Sequence, residues 1–136
     1  MIDGLVLLVC GSRVWSDMDR LWARLDVEAR TALQVRVVHG GARGADWMAG
    51  AWADATGWPC EVFPADWDRL GRRAGAVRNQ QMAQHVAGLA EEGWAPVVLA
   101  FAVEGNARGT MNMVAEAKRL GLPGAIIRAP AEKSSP

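Results

Sequence analysis

The stretch "QVRVVHGGARGADWMAGAW" (34–52) changes character twice. "QVRVVH" (34–39) carries its apolar residues in the manner of a buried strand. "HGGARG" (39–44) then interrupts it with glycines, and Ala45, Met48, Ala49 and Trp52 return at the three- and four-residue spacing of a helix stripe. Gly57 ends that helix and Pro59 prevents its continuation. A strand, a glycine-rich turn and a helix form the first half of a βαβ unit. The turn itself has two readings, a tight connection or a cradle for an anion.

The same alternation extends in both directions. Upstream, "LVLLVC" (5–10) is continuously apolar, the mark of a strand covered on both faces. "GSR" (11–13) follows, then Ser16 and Asp19 at the spacing of a capping box, then a helix stripe of Met18, Leu21, Trp22, Leu25 and Ala29. Downstream come a short strand "CEVF" (60–63), a loop "PADWDRLGRRAG" (64–75) and a helix from about 74 to 90. A second apolar strand "PVVLAFAV" (96–103), a helix near 110–120 and a last strand "GAIIR" (124–128) complete the series. The pattern predicts an α/β, Rossmann-like domain over residues 1–128: an open parallel five-stranded sheet, right-handed crossovers and helices on both faces. Strand order 3-2-1-4-5 is favoured, with 2-1-3-4-5 as the alternative. The tail 129–136 is small and polar and reads as disordered.

Composition narrows the function classes. The 136 residues carry 15 basic and 15 acidic side chains, so nonspecific coating of nucleic acid is disfavoured and any anion site must be local. No apolar run reaches membrane-spanning length and the N-terminus lacks a basic, signal-like start, which points to the cytoplasm and to no membrane partner. Cys10 and Cys60 fall at opposite ends of their strands and are expected to be buried thiols rather than a disulfide. With two isolated histidines, His39 and His85, no metal-ligand spacing arises, and no cofactor is required.

In such sheets ligands bind at the carboxyl ends of the strands. Arg13, Arg43, Arg69, Arg72, Arg73, Arg78 and Arg108 all follow strand ends, and arginine offers phosphate a planar fork of donors. Gly11, Gly40, Gly41, Gly44 and Gly109 lie at strand-to-helix turns, where an anion can approach the backbone. In the helix from 74, the apolar stripe Met82, Val86, Leu89 runs back onto Arg78 and Asn79, which are expected to face the cleft, toward a ligand or loop carbonyls. Asp46 and Asp66 are acidic candidates for a ribose hydroxyl or an arginine partner. His39 reads as a hydrogen-bonded core residue. Trp22 and Trp52 lie on inward stripes, whereas Trp15, Trp47 and Trp67 sit near the loop edge, where they could stack on a base, cover a partner subunit or pack the loops.

Taken together, "GSR", "HGGARGAD", "FPADW", "AGAVRNQQM" and "ARGTMNMV" resemble the SLOG superfamily, and more closely its small YspA-type members from bacteria and phages. The resemblance spans residues 5 to about 127 and implies a Rossmann-like fold that binds nucleotides or nucleotide-derived ligands. "RNQQM" (78–82) resembles a motif of the lonely-guy phosphoribohydrolases, placing Arg78 where that branch has a substrate-contacting arginine. "GNARGT" (105–110) resembles its second motif in part: the proline-glycine-glycine opening is absent, and Asn112 and Met113 stand where that branch has acids.

The expected function is therefore binding of an AMP, ADP-ribose or NAD-like ligand, with Gly11, Ser12, Arg13, Gly40, Gly41, Arg43, Gly44, Asp46, Arg78, Asn79, Gly109 and Thr110 as the binding set. One alternative is an N-glycosidic nucleotide hydrolase using a displaced acid: Glu116, Asp46 or Asp66. A second is single-strand nucleic-acid binding of the kind found in the related DNA-processing protein DprA. Related proteins dimerise, so the resemblance also implies a possible homodimer.

Overall fold

The apolar run at 5–10 forms the centre of the sheet. In the computed structural model, which describes residues 1–131, it belongs to β1 (Ile2–Gly11), buried continuously from Gly4 to Cys10. α1 (Met18–Ala29), β2 (Ala32–His39), α2 (Ala45–Thr56), β3 (Cys60–Val62), α3 (Trp67–Leu70), α4 (Ala74–Glu91), β4 (Ala95–Val103), α5 (Arg108–Arg119) and β5 (Gly124–Ala129) follow. All strand pairs are parallel and the order is β3-β2-β1-β4-β5. The favoured order is the one adopted.

Alternate residues of the central strands face opposite layers. Leu5, Leu7 and Val9 of β1 join Leu99 and Phe101 of β4 against Leu21 and Leu25 of α1 and Ala49 and Trp52 of α2. Val6 and Leu8 join Val98 and Ala100 against Met82 and Val86 of α4 and Met113 and Ala117 of α5. Thus α1 and α2 cover one face, α4 and α5 the other. Trp15 belongs to the first layer: it is 2% exposed and meets Phe101 edge-to-face at 5.2 Å.

Four local expectations are corrected. Asp17, not Ser16, caps α1, its side chain accepting from the Arg20 N–H. The loop 64–75 contains α3 and a further helical turn at Gly71–Arg73, started by Asp66, whose side chain accepts from the Arg69 N–H. Cys60 is exposed while Cys10 is buried, because Cys60 opens a three-residue edge strand and Cys10 lies in the central strand β1. The last strand reaches Ala129, so the ordered domain extends past 128; the remainder of the tail expectation, 132–136, lies outside the described residues. Among the described residues no helix is long and apolar enough to cross a membrane.

Candidate functional site

β1 and β4 lie side by side, yet the chain leaves them for opposite faces, to α1 and to α5. Their diverging loops open a crevice at the point where strand order reverses. A cleft of about 790 Å³ occupies it. Gly11, Ser12 and Arg13 form one side and Gly105 to Thr110 the other. Trp67 and Arg72 supply a third wall, the first turns of α4 a fourth with Gly75, Arg78 and Asn79, and Cys10 and Met82 lie at the base. Four arginines (Arg13, Arg72, Arg78, Arg108) line the cleft against one carboxylate, Asp46, among the described residues.

The loops are fastened to each other by buried polar side chains. Ser12, 3% exposed, accepts from the Val103 N–H at 2.9 Å and donates to the Asn106 carbonyl, joining the β1 and β4 loops. Asn79, 5% exposed, donates through Nδ2 to Asn112 Oδ1 at 2.9 Å and to the Gly109 carbonyl at 3.3 Å. Its Oδ1 accepts from Arg78 Nε at 3.0 Å. Arg78 Nη1 donates to the Gly40 carbonyl at 2.6 Å and to the Phe63 carbonyl at 3.4 Å. Of the two partners expected for Arg78 and Asn79, loop carbonyls take two Arg78 hydrogen bonds, at Gly40 and Phe63, while both side chains also line the cleft.

The glycine-rich loop is bound into the same network. Asp46 Oδ2 accepts from the Gly40 N–H at 3.0 Å and the Ala42 N–H at 3.2 Å. His39 Nδ1 accepts from the Gly41 N–H at 2.9 Å, as expected of a core histidine. Gly44 has φ +76° and ψ −126°, and a Cβ there would lie 2.4 Å from the Ser12 carbonyl oxygen. A Cβ on Gly40 would lie 2.4 Å from Arg78 Nη1. Neighbouring segments, the Ser12–Arg13 turn at Gly44 and the Arg78 side chain of α4 at Gly40, take the space a side chain would need. Gly40, Gly41, Arg43 and Gly44 do not line the cleft; Gly40 and Gly44 lie against Arg78 and the Ser12–Arg13 turn, which do.

The open backbone belongs to α5 instead. Its N-cap, Ala107, gives no side-chain hydrogen bond, so the first-turn N–H groups are left uncapped at the cleft. A Cβ on Gly109 would meet nothing within 4 Å. Glu116 pairs with Arg119 at 2.9 Å further along α5, and Asp66 pairs with Arg69 at 3.1 Å; neither lines the cleft. The sequence-predicted residues that the fold gathers there are therefore Gly11, Ser12, Arg13, Asp46, Arg78, Asn79, Gly109 and Thr110. Arg72, Arg108, Trp67 and Asn106 line it too. The first two carried the strand-end signal already, having been counted among the edge arginines.

Burial dominates the titration of this network. It pushes the Asp46 carboxyl up to about 6, against the lowering effect of the Ala42 and Gly40 N–H groups and of Arg78 and Arg13. It likewise lowers Arg78, with Asp46 opposing, and lowers His39, with Arg78 adding to the effect. A carboxyl raised on folding contributes stability that is present below its unfolded value and lost as pH climbs through its folded value. Stability should thus fall between about pH 4 and pH 6, by roughly 3 kcal/mol at most. Asp46→Asn keeps an acceptor for the two N–H groups and should flatten that part of a melting-temperature profile. An unchanged profile would assign the pH dependence elsewhere.

Comparison with known proteins agrees with this architecture. The profile of the family described as "YspA, cpYpsA-related SLOG family" matches residues 5–70. The gene 61 protein of Mycobacterium phage D29 is 39% identical over 123 residues, covering 86% of this chain and 91% of that protein. The C-terminal domain of the PF1911 hydrogenase from Pyrococcus furiosus superposes with a TM-score of 0.50 over 93% of this chain and 92% of that one. At 15% identity that likeness speaks for the fold alone.

Proposed function

Since this chain belongs to the YspA, cpYpsA-related SLOG family, whose membership points to nucleotide-related binding or processing, we propose that its cleft binds a nucleotide or nucleotide-derived ligand of the AMP, ADP-ribose or NAD class. One observation carries this reading. A chain with no net charge gathers four arginines against one carboxylate around the uncapped start of α5, at the strand-order switch. An excess of guanidinium forks beside free N–H donors is the chemistry of phosphate recognition. The volume of about 790 Å³ lies within the range of small-molecule and cofactor sites.

In this reading the first-turn N–H groups of Arg108, Gly109 and Thr110 hold a phosphate, and Arg13, Arg72 and Arg108 neutralise it. Arg78, Asn79, Ser12 and Asp46 keep the walls apart at the right distance. Binding is favoured over cleavage because Asp46 already spends an oxygen on two backbone donors, and Glu116 and Asp66 are engaged outside the cleft.

Gly109→Ala separates ligand from scaffold. The added methyl meets no protein atom and replaces a helical glycine, so stability should hold or rise by about 0.5–1 kcal/mol. The same methyl stands in the path of a phosphate and should weaken AMP or ADP-ribose by roughly ten- to a hundredfold, since one lost hydrogen bond to a charged group costs about 1.5–3 kcal/mol. Calorimetric titration of both ligands reads this, and equal affinity of variant and wild type would remove the phosphate from α5. Chromatography after prolonged incubation with AMP should recover it intact; release of free adenine would replace binding by hydrolysis.

A further inference from the structure

Arginines and backbone donors account for an anion but give no role to the indole of the cleft wall. Trp67 is the one aromatic residue lining the cleft among the described residues, and it is 48% exposed. The segment that carries it, α3 and the helical turn after it, buries no residue at all. Trp67 is therefore not placed to fill the core, unlike Trp15 and Trp52.

It is nevertheless held in position. Asp66 starts α3 through the Arg69 N–H at 3.1 Å, which fixes the turn bearing the indole. Gly75 of α4 lies against the ring edge, where a Cβ would come within 3.4 Å of Cη2. The Arg13 guanidinium lies 5.7 Å from the ring centroid, near the outer limit of about 6 Å for a cation–π contact. Arg13 itself is exposed, so its guanidinium is reachable from the cleft. A large indole kept half in water, on a wall without core duties and beside an exposed guanidinium, offers a face to something flat.

We propose that Trp67 is a stacking platform for the base of the bound nucleotide, with Arg13 closing over that base from the side of the phosphate. The assignment rests on the reading of the cleft as a phosphate site and narrows it: the ligand class is a nucleoside phosphate, not a sugar phosphate or a simple anion. Stacking on an aromatic face tolerates any base, so the platform selects for the presence of a base and leaves its identity to other groups.

The test is calorimetric titration of AMP, GMP and ribose 5-phosphate into the intact chain, Trp67→Ala, Trp67→Phe and Trp47→Ala. Trp47 is the control, 64% exposed on α2 and outside the cleft lining. Both nucleotides should bind the wild type roughly tenfold or more tighter than ribose 5-phosphate, the range expected of one base–aromatic stack. Trp67→Ala should erase that preference while leaving ribose 5-phosphate affinity unchanged, Trp67→Phe should keep most of it, and Trp47→Ala should alter nothing. Equal binding of nucleotide and ribose 5-phosphate to the wild type overturns the stacking role and leaves the phosphate reading standing. Equal weakening of both by Trp67→Ala, or loss of the preference in Trp67→Phe, also overturns it. If none of the three compounds binds the wild type, the phosphate reading fails and the platform fails with it.

Discussion

Arg108→Glu should abolish measurable nucleotide binding while leaving thermal unfolding almost where it was. Arg108 opens α5, is exposed, and lines the cleft beside Gly109 and Thr110. Among the described residues its side chain makes no hydrogen bond or ion pair, so its removal frees no buried partner there. A glutamate in the first helical turn is favourable toward the macrodipole, by about 0.3–1 kcal/mol. The folded state therefore loses nothing and has a small gain available. The ligand exchanges an attraction for a repulsion at close range. With a hydrogen bond to a charged group worth about 1.5–3 kcal/mol, reversing its sign should cost roughly 3–5 kcal/mol, or about two to four orders of magnitude in affinity. Titration of AMP into the variant, with melting followed by circular dichroism, reads both effects. Affinity close to wild type would place the ligand elsewhere.

The largest loss of stability should come from Gly44→Ala. Gly44 combines two demands that any Cβ violates: φ +76° with ψ −126°, and a carbonyl oxygen of Ser12 at 2.4 Å from the Cβ position with the Arg13 carbonyl carbon at 2.7 Å. Holding a residue with a side chain in such a backbone conformation costs about 1–3 kcal/mol, and forcing an atom into packed backbone adds about 1–3 kcal/mol. The sum is a large share of a total domain stability of about 5–15 kcal/mol, and the melting temperature should fall by roughly 10 °C or more. Because the obstruction is the Ser12–Arg13 turn, the cleft wall shifts as well, and nucleotide affinity should fall even in the folded fraction. The contrast with Gly109→Ala is the informative part. Two glycines in similar-looking turns answer oppositely, one to the scaffold and one to the ligand. A Gly44→Ala protein that melts like the wild type would show that the loop relaxes freely, against the close approach described.

That contrast also marks the limit of the sequence as a source. The strands and four long helices follow largely from apolar spacing and from glycine and proline stops, since β1 and β4 read as unbroken apolar runs and α2 as a stripe of Ala45, Ala49 and Trp52. Alternation of strand and helix then leads to a parallel sheet, and the concentration of arginine after strand ends already marks the edge where the cleft lies. Glycine, however, carries the same letter whether a phosphate or a neighbouring loop needs the space. The approach of Ser12 to Gly44, and of Arg78 to Gly40, depends on three-dimensional packing between distant segments. Ser12 illustrates the same point: it belongs to the expected binding set, and its hydroxyl bonds to Val103 at the end of β4 and to Asn106 on the following loop. α3 escaped notice because four residues with no buried side chain leave no periodicity to detect. Asp17 displaced Ser16 as the cap of α1 because adjacent polar residues are equivalent candidates until the entering backbone is fixed.

The central claim concerns a place as well as a ligand, so the most direct test maps one onto the other. Backbone amide shifts followed by NMR during titration with AMP should move most at Gly11 to Arg13 and at Ala107 to Thr110, with the Trp67 indole N–H moving alongside. Shifts concentrated on the far edge, along β5 (Gly124–Ala129), or a spectrum that stays still as AMP is raised to millimolar concentration, would contradict it.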